Sequence, residues 1–560
     1  MNAPETLVLG EPQAIPRARV GRVIAGSGAD YLVMIEPSED GDHALSTGDL
    51  LIFGTSGALS VASVTATSVP APAGTDEPDE IWIAEACLIG ALTEGTFSRG
   101  MLRTPSLGDA AFAASEADLS AIYAPDDGHV GIGKLARHAS VEACVSLAEL
   151  TEGFGIVGTS DAGKSCTLAT LVRGLLRRRA PVRPVLLDAH DEYARSFGRA
   201  ARVIRPGAGF VPHWLLTFEE LVWALSLDGG PLGEDELSLL TDAVPAARRR
   251  MLQRLGEDAA VPVTLDAPSP WRLSDAVSWL DKNMHVDKQR GQGSYKRLRT
   301  RLAGAPTDAR LRAVFGAISA NDTLPSLLSD VFGLGAAPDA PPMSIVQLGR
   351  LELGLDRLVA SVLCRLALAV AEGTGGRVPI LMLAEDAERY APKDEANRIA
   401  ELSRQAMEGL ARRGARVGAG LGVTSARPSL VSPRLMAELP TTFVHRLPSE
   451  EARRTLGEML PEGGHAQIAA AGTLGRQDCI ALGRGVPAPG ILRIQTLPDA
   501  ALPRSERGGP VAAAAADADL VASLLSRWRY GEASAASAPS AIGEAPPPLP
   551  RAARRAVPAA

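Results

Sequence analysis

Phe154-Gly155-Ile156-Val157-Gly158-Thr159-Ser160-Asp161-Ala162-Gly163-Lys164-Ser165 decides the fold. Its first four residues read as a buried strand, the next eight match G-x-x-x-x-G-K-S, and residues 166–179 have a helical composition. A strand running into a glycine-rich loop and then a helix is the context that phosphate binding needs. Gly158 and Gly163 permit backbone angles that bring N–H groups against phosphate oxygens, where a side chain would block the approach. Lys164 can reach the β/γ-phosphates, the Ser165 hydroxyl can enter the Mg²⁺ shell, and the helix N-terminus adds a favourable dipole. The chain has only six lysines, at 134, 164, 282, 288, 296 and 393, so the in-frame one does not reflect lysine abundance. A site for ATP and Mg²⁺ is therefore expected, lined by Gly158, Thr159, Ser160, Asp161, Ala162, Gly163, Lys164, Ser165 and Cys166.

Outward from this loop the pattern stays α/β. Residues 184–188 form a second apolar run whose end carries Asp188-Ala189-His190-Asp191-Glu192-Tyr193. Strand, helix, strand at this spacing is a parallel unit, and ligands sit at the carboxyl ends of such strands, which puts Asp188 and Glu192 on the ligand-facing edge. After an intervening helical stretch, residues 343–348 read as a strand, 358–371 as an apolar helix, and 378–384 as a strand buried on both faces, ending in Glu385-Asp386. A helix with an arginine-rich end (Arg412, Arg413, Arg416) precedes a strand at 417–423, and 479–482 and 491–494 close the core.

The flanks differ in character. Short β-type runs at 20–24, 31–35, 50–53, 59–64 and 81–89, broken by glycines, predict a small barrel or sandwich. The Pro- and acid-rich stretch 69–80 reads as a hairpin insertion. Residues 210–338 are helical in rhythm, with a capping box at Thr217-x-x-Glu220. Between 282 and 301 seven cations face one acid, which reads either as a DNA-phosphate surface or as a solvated helix face. Beyond about 500, Ala, Pro and Ser dominate; one amphipathic run at 520–528 could dock as a helix, and the last thirty residues read as disordered.

Composition sets the outer bounds. At 560 residues the chain exceeds the roughly 250–300 that single cores reach, so several domains are expected. A formal net charge of −8 excludes a uniformly basic nucleic-acid coat, though not a local basic channel. Five scattered cysteines offer neither a zinc pattern nor a disulfide framework. No signal pattern or membrane span is read, and a cytoplasmic setting is expected.

The chemistry of nucleotide hydrolysis needs an acid to orient water and positive charge at the terminal phosphate. Glu385 and Asp386 stand where a strand would deliver them beside the loop, with Glu385 and Asp188 expected in the metal shell alongside Ser165, Asp386 for water, and Glu192 as a further catalytic acid. Arg412, Arg413 or Arg416 are candidates to act on a neighbouring subunit's γ-phosphate, unless they only complement a helix C-terminus.

Taken together, the motifs resemble the HerA family within the HerA/FtsK group of ring motor ATPases, over residues 14–496. Asp188-Ala-His190-Asp-Glu192-Tyr193 is similar to its D-P-H-G-E-Y, residues 212–221 to its P-Y-W-x-L-x-x-x-E-L, and Glu385-Asp386-Ala387-Glu388 to its E-E-A-H. Arg413-Gly414-Ala415-Arg416-Val417-Gly418 falls on E-G-R-K-x-G, and Ser425-Ala426-Arg427-Pro428 on S-Q-R-P. The resemblance implies a RecA-like P-loop NTPase core with an N-terminal β-barrel (14–100), a linker (101–125), a core in two parts (126–209 and 339–498), a helical insertion (210–338) and a low-complexity tail (499–560). It further implies a homohexameric ring, ATP bound between subunits, duplex DNA through the centre, and a partner nuclease docked by the barrel in DNA end processing or antiphage defence.

Four departures qualify this. Asp386 replaces the catalytic glutamate, Glu388 a histidine, Ala415 the first basic residue of G-R-K, and Ala426 the glutamine of S-Q-R-P. Two expectations follow: an ATP-driven DNA translocase, or an ATP-binding oligomeric scaffold with weak or no hydrolysis that organises a nuclease. A conjugation or segregation motor fits less well without a membrane anchor.

Overall fold

A computed structural model of the chain describes residues 17–36, 45–54, 58–69, 81–100, 104–124, 126–227, 229–256, 263–287, 290–316, 322–351, 354–460, 465–504 and 518–530. Among them, the glycine-punctuated N-terminal runs become β1 (Arg19–Ser27), β2 (Asp30–Ile35), β3 (Leu50–Phe53), β4 (Leu59–Ser68), β5 (Trp82–Thr93), β6 (Thr96–Arg99) and β7 (Ala110–Ala113). Their order is β2-β1-β7-β3-β4-β5, and β2 pairs back to β5, so six antiparallel strands close a barrel while β6 extends β5 outward. Closure removes the exposed edges that a strand set of this size would otherwise present. Val23, Val33, Leu51, Phe53, Val64 and Ala84 fill its interior.

Within the expected linker 101–125, the described residues 104–124 carry regular structure. Ala110–Ala113 completes the barrel between β1 and β3, and Glu116–Ile122 is a helix started by a Ser115–Asp118 capping box. A four-residue, alanine-rich strand has no periodic signal of its own; the two partners it hydrogen-bonds define it. Residues 70–80 of the expected hairpin insertion lie outside the described residues.

The second sheet runs through β8 (His129–Leu135), β9 (Glu142–Ser146), β10 (Gly153–Val157), β11 (Arg183–Asp188), β12 (Ala201–Ile204), β13 (Met343–Gln347), β14 (Ile380–Ala384), β15 (Ala419–Ser425), β16 (Thr441–Val444), β17 (Asp478–Gly483) and β18 (Gly490–Ile494). Their order is β12-β13-β11-β14-β15-β10-β16-β17-β18-β8-β9, parallel from β12 to β16 and antiparallel beyond. Strands that read as unbroken apolar runs alternate between two cores. Val185 and Leu187 face one core with Ile380, Met382 and Ala384, whereas Leu186, Leu381 and Leu383 face the other. Helix Lys164–Arg177 packs on the second face; helices Leu355–Thr374 and Arg398–Gly414 pack on the first.

Barrel and sheet are fastened together. Arg99 donates to the carbonyls of Gly483 (2.8 Å), Val486 (2.9 Å) and Pro487 (3.1 Å), and Arg137 pairs with Asp49 at 2.8 Å.

The helical insertion accounts for most of the basic run. Arg290 pairs with Asp242 (2.8 Å), Arg297 with Glu236 (2.7 Å) and Arg299 with Asp281 (2.7 Å), while Arg301 caps the carbonyls of Gly229 and Gly230. These cations hold neighbouring helices together, which favours the structural reading of that run. Lys288 lies outside the described residues.

The core also extends past 498. Gln495 N–H donates to the Ile132 carbonyl, Leu497 and Ala501 are buried, and Arg504 N–H donates to the Glu192 carbonyl at 3.0 Å. A separate unit, residues 508–560, contains the helix Ala518–Tyr530; the residues after 530 are outside the described set. Among the described residues no helix is long and apolar enough to cross a membrane.

Because Leu497 is a core residue, Leu497→Ala should cost about 2–4 kcal/mol through the cavity it leaves. A tail residue would cost within about 0.5 kcal/mol. Urea denaturation of the two proteins distinguishes these outcomes.

Candidate functional site

Parallel pairing brings the ends of β11, β14, β15, β10 and β16 to one edge. β11 and β15 end in Asp188 and Ser425, and Glu385, His445 and the phosphate loop directly follow β14, β16 and β10, so the edge is a row of functional groups on a rigid base.

The phosphate loop follows β10. Gly158 (φ 151) and Gly163 (φ 113) both adopt angles closed to ordinary side chains, and Asp161 is left-handed at φ 61. The loop is anchored on both sides: Gly158 N–H donates to Ser425 O at 3.2 Å, and Thr159 N–H to Arg446 O at 3.0 Å. The first-turn amides of helix Lys164–Arg177 have no carbonyl to bond within the helix, so they are donors for an anion. Lys164 Nζ donates to Thr159 O at 3.0 Å, folded back on its own loop.

His445, directly after β16, backs this loop, and the sequence reading passed it over. Its Nδ1–H donates to Asp478 O (3.1 Å), which leaves Nε2 to accept from the Thr167 hydroxyl (2.9 Å). A Cβ on Gly158 would fall 2.6 Å from the His445 Cβ. Gln477 N–H donates to Ala162 O at 3.3 Å, closing the clamp. The available signal was a polar residue terminating an apolar strand, the pattern already used for Asp188 and Glu385.

Opposite lie the acids. Asp188 is fully buried; its two oxygens accept from Glu192 N–H and Tyr193 N–H, each at 3.1 Å, so it shapes the 189–193 turn. Burial pushes its pKa up to about 6. Glu385 Oε2 accepts from Ala189 N–H at 3.1 Å. Burial raises its carboxyl well above the usual range, and the nearby Glu192 and Asp188 carboxylates add to this. Asp386 has φ 54; its N–H donates to Thr424 Oγ1 (3.2 Å), and its Oδ2 meets His190 Nε2 at 2.6 Å. Burial opposes ionisation of Asp386, but the His190 hydrogen bond, with Lys164 and Arg389, holds its pKa below the ordinary value. Reciprocally, the Asp386 hydrogen bond raises the pKa of His190.

Lys164 belongs to the same cleft as these acids. Burial lowers its pKa, and the charges of Asp386, Glu388, Glu385 and Glu192 oppose that shift. One ammonium therefore faces several carboxylates, a field suited to a bound divalent cation together with a phosphate anion. Among the described residues no group of three or more His, Cys, Asp or Glu side chains could hold a metal by itself.

The departures from the family pattern also meet here. Glu388 Oε1 accepts from Ala426 N–H at 3.2 Å, so two of the substituted positions bond one another. Arg412 and Arg413 end helix Arg398–Gly414 and Arg416 follows it before β15 begins, so all three are exposed at the opposite edge of the sheet from the loop. Within one chain they do not reach the site.

With this geometry in view, residues 130–367 match the family model described as Helicase HerA, central domain. The DNA double-strand break repair helicase HerA of Pyrococcus furiosus is 22% identical over 416 residues, covering 69% of this chain and 73% of that one. Over this central stretch the chain resembles the HerA family. Among solved structures, VirB4 of Thermoanaerobacter pseudethanolicus superposes with a TM-score of 0.47 at 15% identity, covering 67% of this chain and 99% of that one. Plasmid coupling protein TrwB in complex with ADP and Mg²⁺ superposes with a TM-score of 0.43 at 12% identity, covering 68% and 92%. The HerA match takes in the phosphate loop, the Asp188–Tyr193 turn and the helical insertion, and it stops before Glu385.

Two outcomes follow. Gly158→Ala forces a left-handed φ on alanine and drives a methyl into His445, so nucleotide affinity should fall sharply and stability by about 1–3 kcal/mol; fluorescent-nucleotide titration and denaturation check both. Burial holds His445 neutral down to a pKa of about 4. The unfolded chain takes up that proton near pH 6.5, so the histidine's contribution is complete above pH 6.5 and is lost as pH falls towards 4. Replacing His445 by Gln should therefore shrink the stability difference between pH 7 and pH 5 by about 2 kcal/mol.

Proposed function

We propose that this chain is an ATP-hydrolysing DNA translocase of the HerA kind, acting in the cytoplasm as a homo-oligomeric ring, six subunits in the simplest case. Its substrate is duplex DNA, and its partner a nuclease in DNA end processing or antiphage defence. The observation that carries the reading is the shared cleft: Lys164 lies among Glu385, Asp386 and Glu192, contributed by three separate strand ends. The name of the Pyrococcus relative supports DNA as the substrate.

In this reading the amides of Gly158 to Cys166 and the Lys164 ammonium hold the phosphates of ATP. Ser165 and Glu385 would hold Mg²⁺, whereas Asp188, expected in the same shell, has both oxygens engaged by the Glu192 and Tyr193 amides and fixes the turn instead. The metal's contribution when bound is to neutralise charge developing across the β/γ oxygens. Asp386 orients water in line with the γ-phosphorus. Arg412, Arg413 or Arg416 acts on the next subunit's nucleotide, since the far edge of the sheet is where a neighbour in a ring could meet them.

A second reading, an ATP-binding scaffold with weak hydrolysis that organises a nuclease, draws on the four departures, two of which meet where Glu388 accepts from the Ala426 backbone amide.

For the motor, duplex DNA should stimulate ATP hydrolysis and Lys164→Ala should reduce it on the order of 100-fold. No stimulation together with an inert Lys164→Ala removes the reading. Asp386→Glu separates the alternatives: a large gain marks a damaged hydrolase serving as scaffold, whereas loss or no change means that aspartate performs the step.

A further inference from the structure

We propose that His190 is a positioning residue for ATP hydrolysis, fixing the Asp386 carboxylate where the family's glutamate would be carried by its extra methylene. The proposal rests on the ATPase reading above and concerns how this chain executes it.

The two residues come from adjacent strand ends. β11 and β14 pair in register with Leu187 opposite Ala384, so His190 and Asp386 each lie a few residues past the same rung. His190 sits on a turn that is fixed from several sides. Asp188 accepts two of its amides, Glu385 accepts the Ala189 amide, and Asp191, at φ 57, accepts Gly349 N–H at 3.3 Å. The imidazole is thus presented from a backbone with little freedom, the condition for preorganisation.

Asp386 is fixed by its main chain and by one side-chain contact. Its left-handed φ and its N–H bond to Thr424 set the Cα–Cβ direction, and the 2.6 Å contact from His190 Nε2 to Oδ2 sets the carboxylate plane. With Oδ2 engaged by His190, Oδ1 is the oxygen left to take the attacking water's hydrogen bond. A two-carbon glutamate side chain could reach the γ-phosphate unaided; a one-carbon aspartate has a shorter arc and needs its orientation specified.

The contact is not explained as a stabilising ion pair. His190 is 52% exposed and Asp386 28% exposed, and pairs this open to solvent add little to folding. Substituting His190 should therefore leave the chain folded.

The test uses the full-length protein with ATP, Mg²⁺ and duplex DNA, comparing wild type, His190→Ala, His190→Gln, Asp386→Glu and the double variant H190A/D386E. His190→Ala should lower kcat about 10–100-fold with KM little changed, the range typical of partners that orient a working group. His190→Gln, which keeps an N–H donor at similar reach, should recover most of the loss. In the D386E background, removing His190 should cost far less, because the longer side chain no longer depends on it. Unchanged kcat in His190→Ala, a rise in KM that accounts for the whole defect, or equal losses in both backgrounds would overturn the proposal while leaving the ATPase reading intact. Hydrolysis in the wild type no greater than in Lys164→Ala would overturn both.

Discussion

A single ammonium among several carboxylates organises this molecule. Lys164 is partly withdrawn from water, which disfavours its charge, and Asp386, Glu388, Glu385 and Glu192 restore it. The carboxylates in turn repel one another, and Glu385 answers by favouring its protonated form. An acid cluster of this kind is electrostatically incomplete on its own: a cation lowers its energy, and the loop amides and Lys164 need an anion. A magnesium–nucleotide pair satisfies both sides at once. The left-handed Asp161, Asp191 and Asp386 cluster around the same cleft, where backbone cost is retained because the geometry is used.

The sheet explains why those groups can meet. β15 lies between β10 and β14, so the phosphate loop and the Glu385–Asp386 pair stand two strands apart, with Thr424 and Ser425 bridging the gap. The same parallel arrangement sends the arginine-rich end of helix Arg398–Gly414 to the far edge. Phosphate-binding and acid groups therefore share one edge of the sheet, while Arg412, Arg413 and Arg416 are exposed at the other. Arg99 joins the barrel to the β17–β18 turn of the same sheet, so movement of the core would carry the barrel with it.

Substitutions away from the family pattern look like losses when taken singly. In three dimensions three of the four have partners: Glu388 bonds the amide of Ala426, and Asp386 Oδ2 meets His190 Nε2 at 2.6 Å. A residue's consequence is set by the neighbour that compensates for it, and those neighbours are dozens to hundreds of positions away in sequence.

The sequence by itself determined the phosphate loop, the parallel α/β core and most strands of the barrel. These follow from local rules: glycines where φ must be positive, lysine and serine at a fixed offset, and apolar runs of strand length. It also placed Asp188, Glu192, Glu385 and Asp386 at strand ends, because the end of a buried run is visible in one dimension. Only the tertiary structure decided the rest. Ala110–Ala113 became a strand through two partners, the segment past 498 joined the core through buried Ala501 and the Arg504 bond to the Glu192 turn, and Arg290, Arg297 and Arg299 of the basic run became ion pairs within the insertion. His445 and His190 acquired their places the same way. Each of these depends on which distant segment lies alongside, and pairing across a sheet or between helices leaves no periodic mark in the chain that carries it.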